Sequence, residues 1–385
     1  MMSNKKKIYV DITCFAKLDF ITGIQRVVIE VVSRMLEKDD LDIVLIKYML
    51  RKGKYKIISS NDFMEEYKNR KIDQKIRKGY IYPNEFEEGS IFFDIDSTWG
   101  SIAKRSYLYP ILKKSKVKII TNVYDIIPFN YPYFTTRDLG YAFIDYIGAV
   151  IKYSDIIITN SNAVKVDVIE LAEKIGLDVP HIEVAGLGAD FDKSRKISDK
   201  TIEKLGEVTS KKYILMVGTV EIRKNHKLLF DAYENGLKEQ GYSIVFAGNI
   251  GWKVEELITK MRKHPDYNKN IFILNGLSNE AIDYLYQNAR YVAFLSYTEG
   301  FGLPIVEALA KGVPVISYGT KINMETGSKW CKYCMEDKGE SLAKLVKEID
   351  DNNIYDDWKK EIVNDYKYLS WDEAANNFIK IIENC

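Results

Sequence analysis

A chain of 385 residues, 46% of them apolar and 29% charged, is long enough for two globular domains with a core each. Its net charge of +1 provides no overall attraction to nucleic acid or to an acidic partner. The four cysteines, Cys14, Cys331, Cys334 and Cys385, are too few and too scattered for a disulfide framework and suit a reducing compartment.

Lys5, Lys6 and Lys7 precede an apolar run as in a signal peptide, but Asp11 breaks that run and no small-residue cleavage site follows. No window approaches the ~18 apolar residues of a membrane-spanning helix, so the expected location is the cytoplasm. Ile8–Ile12 reads as a first buried strand, followed by a helix over Gly23–Leu36. Further strands are expected at Leu41–Tyr48, Ile91–Asp94, Lys118–Tyr124, Ile156–Asn160 and His181–Val184, with helices at Tyr141–Tyr153 and Ala163–Ile175. Arg51 to Tyr82 is polar and Lys-rich, a mobile insertion or a pair of short elements. Asp190 to Thr209 is polar, carries no strong strand and separates this series from the next.

The second series is more regular. Strands at Tyr213–Val217, Ser243–Ala247, Ile271–Leu274, Tyr291–Leu295 and Val313–Ile316 alternate with helical patterns, among them Pro304–Ala310. Short strands alternating with helices imply a parallel sheet covered on both faces, hence an α/β fold. The tail from Trp358 to Ile382 is helical in pattern, and no strand follows it. The expected division is 1–200, 201–365 and a terminal helix over 366–385.

Parallel sheets bind ligands beyond the carboxyl ends of their strands. Glu299 to Glu307 falls there, after one strand and across the start of the next helix. Gly300 and Gly302 allow close backbone approach, and the helix N-terminus favours a phosphate. Glu299 and Glu307, placed in the loop and the first helical turn, can accept from sugar hydroxyls; two glycines that only shape a turn are the competing reading. Gly218 to His226 fills the matching place after the first strand of this series. Arg223 and Lys224 stand where a helix begins, which disfavours cations unless an anion lies there. A diphosphate would be such an anion; pairing with Glu221 is the alternative.

These motifs resemble the family 4 retaining glycosyltransferases of the GT-B fold, over the whole length in outline and most tightly over Tyr213–Gly319. The resemblance implies two Rossmann-like domains facing across a cleft, an N-terminal one for acceptor and a C-terminal one for donor, with a C-terminal helix packing back on the first. The family's E-x7-E motif matches Glu299 and Glu307, implying that Glu299 meets the donor sugar and Glu307 the nucleotide ribose. Backbone amides around Gly300, Phe301, Gly302 and Leu303 would hold the sugar or phosphate next to Gly218, and Arg223 with Lys224 would neutralise the leaving diphosphate. Thr22-Gly23-Ile24-Gln25-Arg26 resembles the family's glycine-bearing loop, with a plain helix start as the alternative. Tyr124-Asp125-Ile126-Ile127-Pro128 resembles a segment in which many members carry histidine where this chain has Tyr124, which shifts weight to Asp125. Thr219 stands where many relatives have arginine, so Arg223 carries more of the phosphate charge.

Retaining, metal-independent hexosyl transfer follows as the expected activity, with no cofactor. The donor would be GDP-mannose or a UDP-sugar and the acceptor a glycan or lipid-linked glycan of surface polysaccharide synthesis. Same-face attack is expected, with Arg223, Lys224, Glu299 and Asp125 as catalytic residues. Lys104, Arg105, Lys113, Lys114, Lys116 and Lys118 surround apolar Tyr107, Leu108, Ile111 and Leu112. Such a surface suits anionic lipid at the inner face of the cell membrane, or is a solvated helix face. His226 lies beside the basic pair, near phosphate. Asp94 and Asp96 form a D-x-D pair outside the donor half, and Cys331 with Cys334 a lone C-x-x-C expected to be structural. A non-catalytic nucleotide- or glycan-binding subunit and a nucleotide-sugar epimerase are the rival functions; a dinucleotide oxidoreductase is disfavoured, since no G-x-G-x-x-G follows a first strand.

Overall fold

A computed structural model describes residues 5–15, 23–68, 77–101, 103–191 and 196–385. The chain packs as two compact units, Met1–Gly188 with Leu369–Cys385, and Ala189–Tyr368. The first unit runs β1 (Lys7–Asp11), α1 (Gly23–Leu36), β2 (Asp42–Met49), β3 (Lys54–Ile58), α2 (Ser60–Lys68), β4 (Tyr80–Ile81) and β5 (Ile91–Asp94). It continues through α3 (Arg105–Lys114), β6 (Lys118–Val123), α4 (Ile127–Asn130), α5 (Arg137–Tyr153), β7 (Ile156–Thr159), α6 (Asn162–Lys174) and β8 (Ile182–Val184).

Among the described residues these strands form an eight-stranded sheet in the order β4-β3-β2-β1-β5-β6-β7-β8. Its centre is parallel and its strands are β-branched runs, because helices cover both faces; Ile156, Ile157 and Ile158 are all buried. The polar segment from Arg51 is the edge of the sheet: β3 turns back antiparallel on β2, and β4 pairs with β3. Gly53 makes that reversal in the left-handed region, at φ 58°.

The second unit runs α7 (Asp199–Thr209), β9 (Tyr213–Val217), α8 (His226–Ala232), β10 (Ser243–Ala247), α9 (Glu255–Lys263), β11 (Ile271–Leu274), α10 (Asn279–Asn288) and β12 (Tyr291–Phe294). Then come α11 (Leu303–Ala310), β13 (Val315–Tyr318), α12 (Lys321–Gly327), β14 (Cys331–Cys334), α13 (Gly339–Asp351) and α14 (Ile354–Asp365). The six strands are parallel throughout, in the order β11-β10-β9-β12-β13-β14. The polar stretch after Asp190 ends in α7, whose Ser198 N-cap accepts from the Thr201 amide. β13 begins two residues later than the apolar run at Val313 suggests, and β14 carries too mixed a sequence to be read as a strand.

The helical tail is two helices, not one. Trp358 lies on α14 in the second unit, and the backbone turns extended at Tyr366. A capping box of Ser370 and Glu373 then starts α15 (Trp371–Glu383). This last helix packs on α1, burying Trp371, Ala374, Ala375, Phe378 and Ile382 within the first unit. Arg26 of α1 lies over the Trp371 ring at 5.8 Å, and Arg34 pairs with Asp372.

Candidate functional site

Strand order reverses between β9 and β12 in the second unit: later strands of each half are added outward on either side. Loops after two such neighbouring strands diverge and leave a crevice at the carboxyl edge of the sheet. Gly218 to Asn225 follows β9, and Leu295 to Gly302 follows β12. The two loops are tied together by the Tyr297 amide, which donates to the Arg223 carbonyl at 3.0 Å.

Arg223 and Lys224 end a short 3-10 turn over Ile222–Lys224, and Asn225 closes it in the left-handed region at φ 57°. Both cations converge on Glu299: Lys224 Nζ is 2.9 Å from its Oε1 and an Arg223 terminal nitrogen 2.6 Å from its Oε2. Arg223 also pairs with Glu221 at 2.6 Å and donates to the Thr298 carbonyl at 2.8 Å. Glu299 additionally accepts from the Ser296 hydroxyl at 2.8 Å. Burial would raise the Glu299 carboxyl, but the charges of Arg223 and Lys224 and their hydrogen bonds outweigh it and hold the group down at about 2. Glu221, unassigned from sequence beyond a possible pairing, is thus a second counter-charge of the basic pair.

Gly218, at φ 130°, gives Lys224 its path: a Cβ there would lie 3.2 Å from Lys224 Cε. Gly302 is the N-cap of α11 at φ 98°, a conformation strained for any residue with a side chain. Pro304 has no N–H and the Ile305 amide turns back to the Gly302 carbonyl. Leu303 therefore supplies the amide of the first helical turn, adjoining Gly300 and Phe301. Glu307 falls in the second turn of α11, not the first, since the helix starts at Leu303. It is buried, and its Oε2 accepts from the Tyr286 hydroxyl at 2.9 Å. Of the sequence candidates, the structure gathers Gly218, Arg223, Lys224, Glu299, Gly300, Phe301, Gly302, Leu303 and Glu307 on this one edge of the second unit.

His226 is buried, with its ring 5.5 Å from that of Phe246. Burial first, then the nearby Lys224 charge, push its imidazole down to about 3. His181 and His264 pair with Glu183 and Glu234 at 2.8 and 3.0 Å. Cys331 and Cys334 lie on β14, where positions three apart project to opposite faces; both thiols are free and buried.

Gly23 and Asp125 belong to the first unit. Gly23 is the exposed first residue of α1, and Thr22 lies outside the described residues. Asp125 is half-buried, and its Oδ1 accepts from the Ile127 amide at 2.9 Å, holding the turn that opens α4. Tyr124 is scaffold: buried, it donates to the Ile95 carbonyl at 2.6 Å. At this unit's own strand reversal, between β1 and β5, Arg105 is fully buried and pairs with Asp11 at 2.8 Å and Asp94 at 2.6 Å. Asp94 also accepts from Thr98 at 3.0 Å and Tyr109 at 2.7 Å, while Asp96 accepts from the Phe15 and Ser97 amides. The D-x-D carboxylates are occupied by protein donors.

The basic surface read from sequence is smaller than expected. Arg105, Leu108 and Leu112 face inward, Lys113 pairs with Asp155 and Lys116 with Glu88. Tyr107, Ile111, Lys104 and Lys114 are what α3 and its start present outward.

Residues 197–364 match the family described as glycosyl transferases group 1. That match covers 168 of the 385 residues, all of them in the second unit. Serotype-specific mannosyltransferase WbdA of Escherichia coli is 27% identical over 97% of this chain and 46% of its own length. O-antigen chain mannosyltransferase B of the same organism is 36% identical over 106 residues, 27% of this chain and 28% of that protein. The chain thus spans about half the length of the first of these curated relatives. Among solved structures, Anabaena HepE in complex with UDP-glucose superposes with a TM-score of 0.68 at 14% identity, covering 98% of this chain and 100% of that one. The chain therefore shares the GT-B fold of that structure.

Proposed function

We propose that this protein is a retaining, metal-independent hexosyltransferase that moves a sugar from a nucleoside-diphosphate sugar to a glycan or lipid-linked glycan acceptor. The observation that carries the reading is the convergence of Arg223 and Lys224 on Glu299 at a strand reversal within the region that matches the group 1 glycosyl transferases. Loss of a nucleoside diphosphate concentrates negative charge on phosphate, and two preorganised cations beside helix amides stabilise that charge. Arg223 and Lys224 take the diphosphate, Glu299 turns to the sugar hydroxyls, and Glu307 accepts from the ribose. Gly218, Gly300, Phe301, Gly302 and Leu303 line the donor with backbone. The acceptor is assigned to the N-terminal unit, where Asp125 orients it and Gly23 offers a backbone amide at the start of α1. A donor phosphate oxygen receives the acceptor proton during same-face attack.

Between GDP-mannose and a UDP-sugar, the mannosyltransferase names favour GDP-mannose, and they favour a surface polysaccharide as product. The test is transfer from radiolabelled GDP-mannose and UDP-sugars to lipid-linked and soluble glycans, after a thermal-shift screen against GDP and UDP. Nucleotide binding without transfer would make it a binding subunit, and sugar release or isomerisation without acceptor an epimerase.

Peripheral contact with an anionic membrane belongs to the same proposal. No helix among the described residues is long and apolar enough to cross a membrane. Tyr107 of α3 is 75% exposed, and Tyr141 and Ile144 of α5 are 59% and 50% exposed. Ser106 and Asp145 join the two helices at 3.0 Å beside these residues, and Lys104 and Lys114 add positive charge. Exposed tyrosines with lysines suit a headgroup layer. Sedimentation with anionic against neutral vesicles tests this, and equal recovery in both overturns it.

A further inference from the structure

Tyr286 lies on α10, an element that contributes nothing else to the donor edge, yet its hydroxyl reaches Glu307 Oε2 at 2.9 Å. Both side chains are buried, at 0% and 4% exposure. A carboxylate this deep depends on directed donors to hold one rotamer, and a phenol of full burial has few acceptors to choose from. The ring is located independently of that bond, edge-on to Phe191 at 6.0 Å. Its hydroxyl can thus be deleted without releasing the ring.

We infer that Tyr286 is a positioning residue for the nucleotide ribose, fixing the Glu307 carboxylate in the orientation that receives the ribose hydroxyls. The inference rests on the proposed role of Glu307. A vicinal diol is read by a carboxylate only when the carboxylate plane is set in advance; left to rotate, it must be ordered at the moment of binding, and affinity falls. Tyr286 acts through Glu307 and touches neither sugar nor phosphate. It therefore changes how tightly the donor is held and not the chemical step.

The test is calorimetric binding of GDP and of UDP, and of their 2′,3′-dideoxy counterparts, to wild type, Y286F, E307Q and Y286F/E307Q. The nucleotide that wild type binds should bind Y286F about tenfold more weakly, a difference that disappears with its dideoxy counterpart. With the donor sugar of that nucleotide, KM rises by a similar factor while kcat stays within about twofold. Y286F/E307Q should bind like E307Q alone, because the two residues act in series. Melting temperatures of all four proteins establish that each is folded before binding is compared. Equal losses with ribo- and dideoxynucleotide, or additive losses in the double variant, overturn the inference. If E307Q itself binds the ribonucleotide like wild type, the ribose assignment of Glu307 has failed; if E307Q is weakened and Y286F is not, only the role of Tyr286 has.

Discussion

Lys224 Nζ lies 2.9 Å from Glu299 Oε1, so the cation proposed to meet a departing diphosphate already has a carboxylate of the same chain against it. Glu299 holds both Lys224 and Arg223, and an incoming diphosphate must compete with it for them. The same contact keeps the cations ordered and oriented before donor arrives, which is where electrostatic catalysis draws its advantage. K224A is expected to lower transfer by about 10²–10³-fold with little change in melting temperature. E299Q should lose transfer too, yet bind inorganic pyrophosphate about tenfold more tightly, since its competitor for Arg223 and Lys224 has lost its charge. Calorimetry with pyrophosphate separates these effects. Weaker pyrophosphate binding by E299Q would show that Glu299 does not occupy the anion's place.

His226 makes the second unit sensitive to acid. Its imidazole sits at about 3 in the folded chain against an ordinary 6.5, because burial and Lys224 oppose its protonation. Below pH 6.5 the unfolded chain therefore takes up a proton that the folded chain refuses, and stability falls as pH drops from 6.5 towards 3. The slope is about 1.4 kcal/mol per pH unit for one proton. Asp96 works the other way: burial lifts its carboxyl to about 6, so it adds stability as pH falls from 6 to 3.8. Melting curves of wild type and H226F between pH 7.5 and 5 isolate the histidine. The two should diverge steadily below 6.5, with wild type the more acid-sensitive; parallel curves would place His226 in a protonatable setting.

Arg105 answers to two fully buried carboxylates, Asp11 and Asp94. R105M removes the cation and leaves both without it, a loss expected to cost about 3–5 kcal/mol. R105M/D94N should recover part of that, because one of the two negative charges is gone. Urea denaturation of both variants measures the order. A single variant as stable as wild type would mean that the buried cation adds no net stability.

How much of this was legible in the sequence depended on whether the physics was local. Strands such as Ile156–Thr159 announce themselves because a doubly covered parallel strand must be apolar at every position. The candidate edge was legible because Glu299, Gly302 and Arg223 lie in strand-to-helix loops, and glycines and charges there are few and informative. The ion pairing itself was not, because Lys224 and Glu299 meet only when β12 is laid beside β9, and sheet order is a long-range property. Arg105 was misread for the same reason: its lysine neighbours are solvated, while its own partners come from β1 and β5. Tyr286 carried no signal at all, being one apolar-face residue among several on an amphipathic helix.

The passage between units supplies a last test. The chain leaves the first unit after Gly188 and returns at Leu369, and Gly188 packs against Trp371 at the start of α15. A Cβ on Gly188 would lie 2.5 Å from the Trp371 backbone nitrogen and 2.6 Å from its Cα, contacts with main chain that cannot swing aside. Gly186, two residues earlier, is the natural control: a Cβ there meets only Leu369 Cδ2 at 3.5 Å, an ordinary contact. Neither glycine has the positive φ that would add backbone strain. G188A should therefore displace the start of α15 from α1 and cost about 1–3 kcal/mol through overpacking, while G186A stays close to neutral. Differential scanning fluorimetry of the two alanine variants reads the contrast directly, and proteolysis near Leu369 should rise in G188A alone. Equal melting temperatures for both would show that the docking of α15 on the first unit is loose enough to absorb a methyl group.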